Sequence, residues 1–128
     1  MKKSKVNNLY LSLNDCCSRL GVESSTTLLN IAETEHCLQW GLSKIGERYK
    51  IHIQAILYYE QLKRKYRIGV SDLRLMTIAE AVKALKDKEN ITEETIKQAI
   101  RNMELYTDKN GLIPEFCLFN WFDTYYEI

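Results

Sequence analysis

The chain has 128 residues, 45% hydrophobic and 27% charged, with one Pro, five Gly and a formal net charge of +1. A chain of that length folds as one domain that buries roughly 65% of its unfolded surface, and so much apolar content with so little Pro and Gly excludes disorder and a turn-rich β-architecture. The small net charge hides an uneven distribution: residues 44–67 carry seven Lys/Arg against two Asp/Glu, whereas residues 108–128 carry one against four.

Met1, Lys2, Lys3, Ser4 and Lys5 are followed by Val6, Asn7 and Asn8, so no apolar leader is expected there. No segment reaches the roughly 18 apolar residues of a membrane span. The expected location is cytoplasmic, where Cys16, Cys17, Cys37 and Cys117 would be reduced and mostly buried.

Val6, Leu9, Leu13, Cys16 and Leu20 form a helical stripe that stops at Gly21, a natural left-handed C-cap. The Glu23, Ser24, Ser25, Thr26 and Thr27 cluster offers N-caps for a second helix through Leu28, Leu29, Ile31 and Ala32. The stripe Leu38, Leu42, Ile45 and Tyr49 extends it, although Gly41 and Gly46 weaken any continuous helix. From Glu47 to Tyr66 the apolar residues spread around the helical wheel and predict a central helix. The alternation Tyr49, Ile51, Ile53 would also suit a short strand.

Gly69 is expected to end that helix and Ser71 to cap the next, which Leu75, Ile78, Ala79, Val82 and Leu85 carry to about Lys88. Thr92 is the predicted N-cap of a following helix, with Ile91 placed to pack on Ile96 as a hydrophobic staple. The loop Thr107–Gly111 leads to a terminal helix from Pro114. Its Leu118, Phe119, Trp121, Phe122, Tyr125 and Tyr126 share one arc opposite Asn120, Asp123, Thr124 and Glu127. These stripes predict an all-α fold, a compact single-domain bundle of about five or six helices over residues 1–128.

Residues for chemistry are scarce. Asp108, Asn110 and Gly111 match part of a calcium loop, but that alignment puts Tyr106 at its first position and Cys117 where a bidentate Glu belongs, so a simple turn is expected. Neighbouring pairs such as Cys16 with Cys17 or His36 with Cys37 lack the spacing of zinc ligands. No nucleophile motif flanks His36 or His52 and no glycine-rich phosphate loop is present, so neither an enzyme nor a cofactor is expected. What stands out is the basic stretch of Lys44, Arg48, Lys50, Lys63, Arg64, Lys65 and Arg67, interleaved with Tyr49, Tyr58, Tyr59 and Tyr66. Cations for phosphates and rings for bases are what nucleic-acid surfaces use, while a solvated helix end would hold the same residues.

From Ile91 onward, a capped helix, a polar glycine loop and a terminal helix bearing Phe119, Asn120, Trp121 and Phe122 before Tyr125 and Tyr126 resemble short helical proteins of phages and mobile elements. The resemblance covers about the last forty residues and carries no functional residue with it. It implies a non-enzymatic protein that inhibits or modulates a host protein or ribonucleoprotein complex through its basic surface, as anti-CRISPR inhibitors do. The alternative is an accessory or regulatory protein of a mobile element that binds RNA or DNA directly. The oligomeric state and the role of the aromatic helix, core or interface, stay open at this stage.

Overall fold

The computed structural model describes residues 9–68 and 74–126, and of residues 64–68 the backbone alone. The expected all-α class is corrected: among the described residues, seven helices stand beside five strands in two antiparallel sheets, so the fold is mixed α/β. The chain divides into two compact units, one of residues 7–69 and one of residues 70 onward.

In the first unit, β1 (Tyr10–Ser12) leads directly into α1 (Leu13–Leu20). Ser12 caps α1 by accepting from the Asp15 amide, and Gly21 closes it at φ 70° with its N–H on the Cys17 carbonyl, as its position implies. The front half of the expected first helix is therefore strand, and Val6 lies outside the described residues. α2 (Ser25–Thr34) starts from the Ser24 hydroxyl, which accepts from the Thr27 amide. α3 (His36–Gly41) follows it.

The stripe expected to carry the second helix to Tyr49 is broken at Gly41. A Cβ there would lie 2.5 Å from Ala55 Cβ and 3.3 Å from the His52 amide nitrogen, so only glycine lets α3 approach the next helix this closely. β2 (Leu42–Ile45) and β3 (Arg48–His52) then form a hairpin, with Ile45 opposite Arg48 across the two-residue turn Gly46–Glu47. Gly46 has φ 67° and Glu47 keeps an ordinary negative φ, the pattern of a type II′ turn with glycine first.

β3 is the middle strand of the order β1-β3-β2, with Leu11 opposite Ile51 on one side and Leu42 opposite Ile51 on the other. The residues read as the start of a central helix are thus strand, and α4 (Ile53–Ile68) begins only after His52. Ala55, Ile56, Leu57 and Gln54 are buried in its first turns. That burial agrees with a helix covered on more than one side. Gly69 and Ser71, read as its stop and the next cap, lie outside the described residues.

In the second unit, β4 (Leu75–Met76) pairs with β5 (Ile113–Pro114), Met76 opposite Ile113. α5 (Ile78–Ala84) starts from a capping box of Thr77 and Glu80, not at Ser71, so Leu75 belongs to a strand. The Thr77 amide and hydroxyl hold the Glu80 carboxyl below its ordinary value. α6 (Glu93–Arg101) starts at Thr92 as predicted, and Ile91 and Ile96 are both buried. It ends in a Schellman arrangement: the Glu104 amide reaches the Ala99 carbonyl at 2.9 Å and the Met103 amide the Ile100 carbonyl at 3.2 Å. Met103 sits at φ 56°, the one non-glycine residue with positive φ among the described residues.

The Thr107–Gly111 loop is a turn held by Asp108, whose Oδ1 accepts from the Asn110 and Leu112 amides at 2.9 Å each. α7 (Glu115–Tyr125) buries Cys117, Leu118, Trp121, Phe122 and Tyr125, so its aromatic stripe faces core. Trp121 Nε1 donates to Glu104, and Lys88 Nζ lies 5.5 Å from the Phe119 ring centre, so polar groups meet the stripe at its margins. No helix among the described residues is long and apolar enough to cross a membrane.

Candidate nucleic-acid interface

The seven cations singled out in the sequence fall on two elements. Lys44 is on β2, Arg48 and Lys50 are on β3, and Lys63, Arg64, Lys65 and Arg67 are on the last turns of α4. The side chains of Arg64, Lys65 and Arg67 lie outside the described residues.

Lys63 is already engaged. Its Nζ donates to the Leu20 carbonyl at 2.9 Å, satisfying one of the acceptors left open at the end of α1, and lies 5.7 Å from the Tyr59 ring centre. One turn earlier, Glu60 pairs with Arg19 of α1 at 2.9 Å. These two contacts fasten α4 to α1, so Lys63 has a structural task. Its charge is compensated by a carbonyl and a ring before any partner arrives.

The hairpin is different. Every residue from Lys44 to Tyr49 is exposed, including Ile45 at 46% and Tyr49 at 43%. β1 pairs with β3 only as far as Ser12 opposite Lys50, so beyond Lys50 the sheet narrows to the two strands of the hairpin. Residues directly opposite on paired strands share a face. Lys44 with Tyr49 therefore occupies one face, and Ile45 with Arg48 and Ser43 with Lys50 the other. Lys44 Nζ lies 5.8 Å from the Tyr49 ring centre, which confirms the first pairing. The sequence brought these three cations together by number alone; the fold splits them between opposite faces of one ribbon.

Beneath the ribbon the base is rigid. His52 is fully buried, its ring edge-on to Tyr10 at 5.0 Å and to Trp40 at 5.3 Å. Its Nδ1 accepts from the Gln54 amide at 3.1 Å, which assigns the ring proton to Nε2 and fixes the corner where β3 becomes α4. Sequence reasoning left His52 as a candidate base for catalysis, and nothing in its spacing foretold a buried corner. Tyr10 and Trp40, which hold it, carried no local signal.

The thiols are built for packing. Burial pushes Cys16 up to about 11, with Cys17 and Asp15 adding to it, and burial beside Glu35 pushes Cys37 up to about 12. Both stay protonated and poorly nucleophilic at neutral pH. No group of three His, Cys, Asp or Glu side chains among the described residues is arranged to hold a metal ion. No family model, curated protein or solved structure matches the chain.

Proposed function

We propose that the protein is a non-enzymatic binding protein that engages the phosphate backbone of a nucleic acid, free or carried in a host ribonucleoprotein, through the hairpin of β2 and β3. The observation that carries this reading is six consecutive exposed residues, Lys44 to Tyr49, set on a two-stranded ribbon with an adjoining Lys50. Solvent-facing Ile45 and Tyr49 beside cations supply apolar contact where a solvated ribbon would carry polar residues. The expected kinship with phage and mobile-element proteins places such a protein in the cytoplasm, where occupying a CRISPR-type complex would inhibit it. The buried stripe of α7 favours the hairpin over the aromatic helix as the contact surface.

The test is binding of labelled RNA and DNA by fluorescence anisotropy between about 50 and 200 mM salt. Three phosphate contacts on a duplex predict an affinity that falls about 40-fold over that range. The variant Lys44→Glu, Arg48→Glu, Lys50→Glu is expected to melt close to the parent protein and to lose binding. A parent protein that binds neither RNA nor DNA would reject the reading.

A further inference from the structure

We infer that the hairpin is shaped to enter the major groove of double-stranded DNA, a conclusion that rests on the proposed engagement of nucleic acid and names its form. The argument begins with where the cations point. A surface that tracks a single strand gathers cations and stacking rings on one side, because the strand presents one backbone and one row of bases. Here Lys44 and Tyr49 lie on one face of the ribbon while Arg48 and Lys50 lie on the other. Cations on both faces of a thin ribbon meet phosphates only if phosphates flank it on both sides, as they do in a groove.

Dimensions select the groove. Two strands about 4.8 Å apart, with side chains on either face, fit a channel about 12 Å wide, which is the major groove of B-form DNA. The minor groove, about 6 Å wide, is too narrow, and the major groove of A-form RNA is deep but too narrow for side chains to read. Depth agrees as well. β1 ends opposite Lys50, so Tyr49, Arg48 and the Gly46–Glu47 turn project past the three-stranded part of the sheet. Two strand residues advance about 7 Å, and with the turn the ribbon reaches the roughly 8.5 Å floor of the groove before the wider sheet meets its rim.

Chemistry at the tip fits that floor. Arg48 and Ile45 are paired on one face next to the turn, a guanidinium able to bind guanine O6 and N7 beside an aliphatic side chain able to meet a thymine methyl. Lys50 on the same face and Lys44 on the opposite one are set further from the tip, where the phosphates rise. Glu47 in the turn is placed to accept from a cytosine amino group. A Gly46 with φ 67° and open space around it lets the turn stay tight without a Cβ against the bases.

The experiment compares a DNA duplex of about two helical turns with its separate strands and with an RNA duplex of the same sequence. It includes Lys44→Ala and Arg48→Ala variants whose melting curves match the parent. The expected result is preference for the DNA duplex, protection of guanine N7 from methylation, and loss of affinity in both variants, each making the salt slope shallower by about 0.9. Equal binding to single strands or RNA, or a silent variant on either face, overturns the groove assignment and leaves phosphate binding standing. Failure of the parent protein to bind any of the three at low salt overturns both, and an acidic protein surface then becomes the ribbon's target.

Discussion

Gly41 and Met103 are two residues whose backbone surroundings decide their cost, with opposite signs. At Gly41 the limit is space: an added methyl would sit 2.5 Å from Ala55 Cβ, and neither atom belongs to a flexible side chain that might swing away. Gly41→Ala should therefore destabilise the protein by about 1–3 kcal/mol in urea unfolding, the usual range for overpacking. Adding Ala55→Gly should restore part of that loss, although glycine inside a helix itself costs about 1 kcal/mol. A single variant as stable as the parent would show that α3 and α4 do not meet there. At Met103 the limit is the backbone, since φ 56° costs a non-glycine residue about 1–2 kcal/mol and glycine little. Met103→Gly should raise stability by about 0.5–1 kcal/mol after the extra freedom of the unfolded glycine is deducted. A lower melting temperature would mean that the half-buried Met103 side chain contributes more through packing than its conformation costs.

At the scale of elements, α4 and the hairpin hold cations of different kinds, and stability separates them. Lys63→Glu removes the donor to the Leu20 carbonyl and puts a negative charge at the C-terminus of α1, so a loss of about 1 kcal/mol is expected. Lys44→Glu, on an exposed strand end, should change stability by less than about 0.5 kcal/mol. Equal losses in chemical denaturation would remove the distinction. Local signals explain why some elements were legible and others were not. Thr92 and Gly21 announced helix ends because capping is settled within four residues, and the stripe of α7 was long enough to fix its period. The hairpin was hidden because Leu38, Leu42, Ile45 and Tyr49 happen to repeat at helical spacing across what are in fact a helix, a strand, a turn and a second strand. Its alternation of Tyr49, Ile51 and Ile53 was too short to outweigh that stripe. What selects strand is distant: Leu11 of β1 opposite Ile51, a pairing forty residues apart that no local window contains. The cations of the candidate site were legible from composition, but their division between two faces depended on that same register.

Across the whole molecule, charge is distributed by unit. Residues 7–69 carry eight Lys/Arg against six Asp/Glu, and residues 70–128 carry seven against eleven. With the total at +1, attraction to a polyanion cannot come from net charge and has to come from a local field. At physiological salt that field extends only about 8 Å, so a cation matters according to its place. Two double variants separate place from total. Lys44→Ala with Arg48→Ala and Lys86→Ala with Lys97→Ala each remove two positive charges, all four being exposed in the parent, the first pair from the hairpin and the second from the acidic unit. The hairpin pair should weaken binding to DNA and make the salt slope shallower by about 1.8, the value for two lost phosphate contacts. The other pair should leave affinity and slope at the parent values. Equal losses from both pairs would show that the protein responds to its total charge, and the ribbon would then have no privileged part in binding.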